Sequence, residues 1–360
     1  MPTTSQPSPS TSGSIAASTS GPASTSAAAS ASASGSASLS APAFTDVLEA
    51  RRLLAAHLTP TPAWTYPVLN QAVGATVWIK HENAQPVGAF KVRGGLNLLA
   101  SLSPAQRAVG VVAASTGNHA QSVAYAARSF GAPCTIVMPE NANPVKAAAV
   151  RALGAELVLR GAAFDECRSI AAQIGASTGA YYVDSGNEPK LIAGVATAAL
   201  ELFEVAPRLD ALFVPIGSGT GASGACISAR AVAPQCQVIG VQSAQAPAAY
   251  ESWRSGTAVD RPNKTTIEGL STGQSFSLPQ AIMRELLHDF LLVDDSSIHS
   301  AQRLLIGAAH TMAEGAGAAA LAGVLARRSQ YAGKNVGVIC SGGNVSEAEL
   351  GLVLTAVLPG

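Results

Sequence analysis

Short apolar segments alternate with alanine-rich helical segments along residues 44–360, and this alternation constrains the fold more than any other feature. Each apolar segment is bounded by glycine, proline or polar residues, as buried strands are. The predicted strands are Thr76–Lys80, Val109–Ala113, Cys134–Met138, Ala155–Leu159, Ala211–Ile216, Gln237–Val241 and Asn335–Ile339, and the predicted helices include Asn118–Phe130, Pro144–Leu153, Phe164–Ile174 and Ile192–Ala206. Strands this apolar suit parallel sheets covered on both faces. We therefore predict an open α/β fold with binding sites beyond the carboxyl ends of its strands.

Charge is scarce and balanced: 12% of the residues are charged, with 22 basic and 22 acidic side chains. Nucleic-acid binding depends on clustered basic residues, so we predict no nucleic-acid partner. The longest strongly apolar segment without charge, Gly315–Ala326, is shorter than the roughly 20 residues of a membrane-spanning helix, so we predict no membrane span. The five cysteines are scattered, without a C-x-x-C pair. They favour a reducing, cytoplasmic location over a disulfide framework or a zinc site.

Residues 1–43 consist almost entirely of Ser, Ala, Thr, Pro and Gly, and the first charged residue is Asp46. This composition offers too little apolar surface to offset the entropy of ordering, so we predict a disordered tail. The tail lacks the basic start and apolar core of a secretory signal, and it lacks the arginines of an organellar transit peptide. We expect the functional part of the protein in residues 44–360.

The first candidate site lies in the turn after Thr76–Lys80, where Lys91 stands between Phe90 and a glycine-containing helix start. The chain has six lysines, and this one lies among small and apolar residues. Burial disfavours the charged form of an amine and lowers its pKa toward that of a nucleophile. Lys91 is therefore a candidate nucleophile, although this segment alone also fits a surface lysine.

The second candidate is the turn Ser115-Thr-Gly-Asn-His119, which follows a predicted strand and leads into a helix. Hydroxyls and free N–H groups at a helix start hold carboxylates or phosphates. The same residues also serve as an ordinary helix cap. His119 in isolation is more typical of a hydrogen-bonded structural histidine than of a catalyst.

The third candidate is the glycine-rich turn Gly217-Ser-Gly-Thr-Gly221, which follows another predicted strand. Glycines let the backbone approach a phosphate and direct its N–H groups inward. The segment also fits the dinucleotide fingerprint, which requires an acidic residue about 20 positions further on. Gln242 stands there instead. The turn predicts a phosphate cradle, and a dinucleotide-dependent oxidoreductase is the weaker alternative.

The fourth candidate, Cys340-Ser-Gly-Gly-Asn344, closes the last predicted strand and is a generic turn by itself. Taken in order, the four turns resemble the fold-type-II pyridoxal-phosphate enzymes, and most closely the threonine/serine dehydratase (ammonia-lyase) family. The resemblance runs from about Ala50 to the end of the chain, and it includes Asn187–Gly194 and Ala313–Ala318.

The resemblance implies an α/β architecture of two open, mostly parallel sheets flanked by helices, like the β subunit of tryptophan synthase. It implies a large pyridoxal-phosphate-binding domain of residues 44–107 and 183–360 and a small domain of residues 108–182. It also implies roles for individual residues. By the resemblance, Lys91 forms the Schiff base with pyridoxal 5′-phosphate and moves the Cα proton. Phe90 packs against the pyridine ring, Asn118 hydrogen-bonds the 3′-oxygen, and Ser341 faces the pyridine nitrogen. The phosphate is held by Gly217, Ser218, Gly219, Thr220 and Gly221, and the substrate carboxylate is bound by Ser115, Thr116, Gly117 and His119.

The function implied by the resemblance is dehydration of L-threonine or L-serine to a 2-oxo acid and ammonia. A serine opposite the pyridine nitrogen does not stabilise the protonated ring, which favours elimination over transamination. Thr116 stands where serine racemases have a catalytic serine, so an amino-acid racemase is an alternative. A lyase for a larger 3-hydroxy amino acid and a catalytically silent binding protein are two more. Gln242 and Ala248 replace the acidic residues of the family's divalent-cation site, so we predict no metal there, and we expect the family's usual homodimer.

Overall fold

Strands and helices alternate through residues 40–162 and 164–358, which are the residues that the computed structural model describes. Residues 1–39 of the predicted disordered tail lie outside this part of the chain. The described helices are α1 Phe44–Leu54, α2 Pro67–Val73, α3 Lys91–Ser101, α4 Pro104–Val109, α5 Asn118–Ser129, α6 Pro144–Ala152, α7 Phe164–Thr178, α8 Pro189–Val205, α9 Thr220–Val232, α10 Ala248–Ser255, α11 Ser277–Leu286, α12 Asp295–Ala309, α13 Gly315–Ala326 and α14 Glu347–Thr355. The described strands are β1 Ala63–Trp64, β2 Thr76–His81, β3 Val111–Ala114, β4 Cys134–Met138, β5 Glu156–Leu159, β6 Tyr181–Tyr182, β7 Ala211–Pro215, β8 Gln237–Ser243, β9 Asp289–Val293 and β10 Asn335–Cys340.

The strands form two sheets. The larger has the order β1-β2-β10-β7-β8-β9, and the smaller has the order β5-β4-β3-β6. Every neighbouring pair is parallel except β1 with β2. The prediction of two open, mostly parallel sheets flanked by helices is confirmed.

Helices cover both faces of each sheet, so strand residues alternate between two apolar layers. In β7, Phe213 packs in a layer with α2, α12 and α13, whereas Leu212 and Val214 pack in a layer with α8, α9 and α11. In the smaller sheet, α3 and α5 share a layer with Val111 and Ala113, and α7 covers the opposite face. Burial on both faces explains why these strands are almost continuously apolar.

Several predicted boundaries are displaced by a few residues, and one displacement has a clear local cause. The strand predicted at Val109–Ala113 begins at Val111, because Val109 ends α4 and Gly110 turns the chain with a φ of 102°. Within residues 40–162 and 164–358, no helix is long and apolar enough to cross a membrane. All five cysteines are buried as free thiols. The division into a large and a small domain stays a prediction.

A buried ionic cluster fixes the start of α3. It consists of Arg93, Glu82, Glu201 and Lys80, and we call it the Arg93 cluster. The Arg93 guanidinium donates to both oxygens of Glu82 at 2.7 and 2.8 Å and to both oxygens of Glu201 at 2.6 and 2.7 Å. The Lys80 ammonium also binds Glu201, at 2.6 Å. The cluster joins β2, α3 and α8 two residues from Lys91.

Candidate active site

A cavity of about 410 Å³ is lined by the turns that follow β2, β3, β7 and β10. The structure brings all thirteen site residues selected from the sequence to its wall: Phe90, Lys91, Ser115, Thr116, Gly117, Asn118, His119, Gly217, Ser218, Gly219, Thr220, Gly221 and Ser341. These residues come from four segments that are far apart in the chain. The carboxyl ends of the parallel strands β2, β10 and β7 meet at one edge of the larger sheet, which explains why three of the turns converge. The fourth turn follows β3 of the smaller sheet.

Lys91 is the first residue of α3, and its side chain reaches the glycine-rich turn. Its ammonium group donates to Thr220 Oγ1 at 2.9 Å and to Ser218 Oγ at 3.2 Å. The Nζ atom also lies 5.3 Å from the centroid of the Phe90 ring. Burial lowers the pKa of Lys91 to about 8. Roughly one Lys91 side chain in ten is then a neutral amine at pH 7, far more than for an exposed lysine.

The glycine positions of the glycine-rich turn have no room for a Cβ atom. A Cβ atom on Gly217 would lie 2.3 Å from the Gly269 carbonyl oxygen, and one on Gly221 would lie 3.1 Å from Cε2 of Phe90. Gly219 has a φ of 90° and caps α9, whose first N–H groups are free of helical partners. Backbone N–H groups and the hydroxyls of Ser218 and Thr220 therefore surround a space suited to a phosphate.

The turn between β3 and α5 presents backbone donors and a neutral histidine. The Gly117 N–H donates to Ser115 Oγ at 3.1 Å. Burial, together with the nearby charge of Lys91, lowers the pKa of His119 to about 3, so its ring is neutral at physiological pH. Among the described residues, the buried Nε2 atom of His119 has no hydrogen-bond partner. A buried, unsatisfied ring nitrogen at the cavity wall is suited to bind a ligand.

Asn118 is held from two sides. Its amide nitrogen donates to Glu314 Oε1 at 2.6 Å, and its amide oxygen accepts from Asn344 Nδ2 at 2.8 Å. Burial raises the pKa of Glu314 to about 7, although the Asn118 hydrogen bond opposes the shift. The carboxyl group beside Asn118 thus changes its charge near neutral pH.

Backbone contacts tie the Lys91 turn to the Ser341 turn. Phe90 N donates to the Ser341 carbonyl oxygen, and Gly343 N donates to the Gly88 carbonyl oxygen, both at 2.9 Å. Gly88 has a φ of 67°, and a Cβ atom there would lie 2.6 Å from the Asn344 side-chain oxygen. The two turns therefore have a fixed spacing.

Sequence reasoning assigned no role to three charged residues that line the cavity, Lys146, Glu268 and Glu314. Glu314 lies in a segment that carried the resemblance, so its neighbourhood was identifiable. Lys146 and Glu268 form an ion pair across 122 positions of the chain. Such a pairing leaves no local signal in the sequence.

Comparison with known proteins identifies the family of the chain. Residues 54–342 match the family described as pyridoxal-phosphate dependent enzyme. The chain belongs to this family. Over 305 residues it is 37% identical to the L-threo-3-hydroxyaspartate ammonia-lyase of Saccharomyces cerevisiae, which covers 84% of this chain and 94% of that protein. Over 301 residues it is 38% identical to the L-threonine ammonia-lyase of Thermotoga maritima, which covers 83% of this chain and 75% of that protein. The structure of serine racemase from Dictyostelium discoideum is similar with a TM-score of 0.79 and 32% identity, over 84% of this chain and 99% of that one.

Family membership confirms pyridoxal 5′-phosphate as the cofactor, and the ammonia-lyase relatives support the predicted class, a pyridoxal-phosphate-dependent lyase. The cavity of this pyridoxal-phosphate enzyme suits the cofactor on three counts. It has an amine of lowered pKa at Lys91, a cradle of glycines and hydroxyl side chains at Gly217–Gly221, and an aromatic ring at Phe90. The dinucleotide alternative has no comparable support.

The position predicted to lack a metal lies at the end of β8. The Gln242 side chain is fully buried, and its Oε1 atom accepts from Tyr250 N at 3.0 Å. Ala248 begins α10 and is also buried. Neither residue supplies a carboxylate, and the absence of a divalent cation stays a prediction.

Proposed function

We propose that the protein is a pyridoxal-phosphate-dependent ammonia-lyase that converts L-threonine or L-serine to a 2-oxo acid and ammonia. The arrangement around Lys91 carries the proposal: an amine of lowered pKa lies between a phosphate cradle and a turn suited to a carboxylate. When bound, the cofactor supplies an electron sink for the electron pair left on Cα. The named relatives of both ammonia-lyase types support the same class.

Lys91 is proposed as the base that removes the Cα proton, because its neutral form is accessible near pH 8 and it lines the same cavity as the substrate turn. Ser115, Thr116, Gly117 and His119 are proposed to bind the substrate carboxylate. The neutral His119 ring contributes hydrogen bonding rather than charge, so the N–H groups of this turn carry the anion binding.

Phe90, Asn118 and Ser341 are proposed to orient the cofactor ring, while Gly217, Ser218, Gly219, Thr220 and Gly221 hold its phosphate. Asn118 is fixed by Glu314 and Asn344 and therefore loses little entropy on binding a ligand. Ser341 offers a hydroxyl instead of a carboxylate, and a hydroxyl does not hold a proton on a pyridine nitrogen. This favours elimination over transamination.

The test is turnover of a substrate panel by the holoenzyme. We expect L-threonine and L-serine to give 2-oxobutanoate and pyruvate, each with one equivalent of ammonia. Absence of 2-oxo acid from every 3-hydroxy amino acid in the panel would exclude the proposal. D-serine formed from L-serine, and lost in Thr116→Ala, would favour the racemase alternative instead, since Thr116 lines the cavity.

We also propose a cytoplasmic homodimer with the large and small domains given above. Five buried free thiols support a reducing compartment. Apolar side chains exposed on and after α14, among them Leu354 at 61% and Val357 at 80%, support a covered surface in the assembled protein. Analytical ultracentrifugation gives the mass of the assembly.

A further inference from the structure

Lys146 and Glu268 pair at the wall of the cavity from different parts of the fold. Lys146 belongs to α6, which follows a strand of the smaller sheet, and Glu268 begins a short 3-10 turn between α10 and α11. The Lys146 ammonium contacts Glu268 Oε2, and the two side chains are 16% and 53% exposed. Both residues line the cavity that contains Lys91.

The position of Lys146 in α6 is unfavourable for the helix itself. It is the third residue of a helix that begins at Pro144, where the partial positive charge of the helix dipole disfavours a cation. Glu268 offsets this cost by supplying a negative charge. The lysine therefore has no stabilising role in its own helix that would explain its place beside the cavity.

The charges around the cavity limit which substrates it can bind. Among the described residues of its wall, the cations are Lys91 and Lys146, and the carboxyl groups are Glu268 and Glu314. His119 is neutral because burial lowers its pKa to about 3. The proposed reaction uses Lys91, so Lys146 is the cation of this wall that remains for a carboxylate on a substrate side chain.

We infer that Glu268, by holding Lys146, makes the site select 3-hydroxy amino acids with an uncharged side chain over dicarboxylic ones such as 3-hydroxyaspartate. This inference rests on the proposed function and narrows its substrate class. A second substrate carboxylate must displace Glu268 from Lys146 or enter the cavity without a cationic partner. A desolvated carboxylate without a partner is strongly disfavoured.

The test compares wild-type holoenzyme with Glu268→Gln, which keeps the size of the side chain and releases Lys146. We expect wild type to prefer L-threonine to L-threo-3-hydroxyaspartate. In Glu268→Gln, we expect the ratio of kcat/KM for hydroxyaspartate to kcat/KM for threonine to rise roughly 10- to 100-fold, because a charge-assisted contact to Lys146 becomes available. The double variant Lys146→Met/Glu268→Gln should lose this gain. Glu285→Gln, which breaks an exposed ion pair with Arg230, should leave the ratio unchanged.

Binding supplies a readout that does not depend on turnover. L-Aspartate and L-2-aminobutyrate lack the 3-hydroxyl group, and titrating each into holoenzyme while following visible absorbance gives their dissociation constants. We expect Glu268→Gln to shift their affinity ratio toward aspartate by a similar factor. A shift below twofold in both ratios, or a wild type that prefers hydroxyaspartate, would overturn the inference. If wild type dehydrates neither substrate, the proposed function fails, and the binding ratio still decides the role of Glu268.

Discussion

Replacing Arg93 with methionine should destabilise the protein by about 3–5 kcal/mol, the usual cost of breaking a buried ion pair. Glu201 keeps its contact with Lys80, so the main loss falls on Glu82, which is 0% exposed and loses both bonds to the guanidinium. Thr61 and Gln85 still donate to Glu82 but carry no charge. Urea unfolding of the apoprotein at pH 7 measures the change.

The pH dependence of stability separates two effects of Arg93→Met, the loss of a charge and the loss of side-chain packing. Burial alone would raise the pKa of Glu82, but Arg93 and Lys80 hold it below its ordinary value of 4.5. In wild type, the stability from Glu82 is present above that value and is lost as the pH falls through the lower folded pKa. In Arg93→Met the buried carboxylate of Glu82 lacks its main cation, and its pKa rises. The loss of unfolding free energy relative to wild type should therefore shrink as the pH falls from 7 to 5.

Arg51→Met is the matched control, because Arg51 and Glu204 form an ion pair with side chains 45% and 38% exposed. Its cost should stay below about 1 kcal/mol. Equal losses in Arg93→Met and Arg51→Met, or a deficit of Arg93→Met that does not change with pH, would refute the assignment of the Arg93 cluster as a buried charge network.

Two further predictions concern the cofactor site. Gly217→Ala would place a methyl group 2.3 Å from the Gly269 carbonyl oxygen, so we expect titration of the apoprotein to show at least about tenfold weaker binding of pyridoxal phosphate. Gly307→Ala is the control, because Gly307 lies on an exposed face of α12 and a Cβ atom there would have nothing within 4 Å. This variant should bind the cofactor with normal affinity, and its free energy of unfolding should rise by up to about 1 kcal/mol. Equal cofactor affinities in Gly217→Ala and Gly307→Ala would contradict the assignment of the glycine-rich turn as the phosphate cradle. Glu314→Gln keeps an acceptor for Asn118 but removes a carboxyl group that is neutral below, and negative above, a pKa of about 7. An inflection near pH 7 in the visible absorbance of wild-type holoenzyme should therefore disappear in this variant, and its persistence would assign the inflection to another group.

Local chemistry made the four turns predictable. Each combines the end of an apolar strand with glycines or hydroxyls, so sequence neighbours alone carry the signal. The five-residue strand β9, Asp289–Val293, has the same pattern of an apolar run bounded by polar residues, and the prediction omitted it. The two-residue strands β1 and β6 depend on pairing with β2 and β3, and they are too short for any periodicity.

The sequence predicted the location of the site better than it predicted the electrostatics of the site. Arg93 pairs with Glu201 across 108 positions, and Asn118 pairs with Glu314 across 196. The raised pKa of Glu314 and the charge balance at Lys146 follow from burial and from distant partners. Tertiary packing creates these properties, so motifs along the chain do not contain them.

Borohydride reduction of the holoenzyme fixes the cofactor to the lysine that carries it, which we expect to be Lys91. Holoenzyme is reduced, digested and examined by peptide mass spectrometry, with Lys264→Ala as a control because Lys264 is exposed. We predict one pyridoxyl phosphate group on the Lys91 peptide in wild type and in Lys264→Ala. Lys91→Ala should carry none and should release no 2-oxo acid from L-threonine. Cofactor fixed to another lysine in wild type, or full turnover by Lys91→Ala, would contradict the assignment of Lys91 as the residue that carries the cofactor.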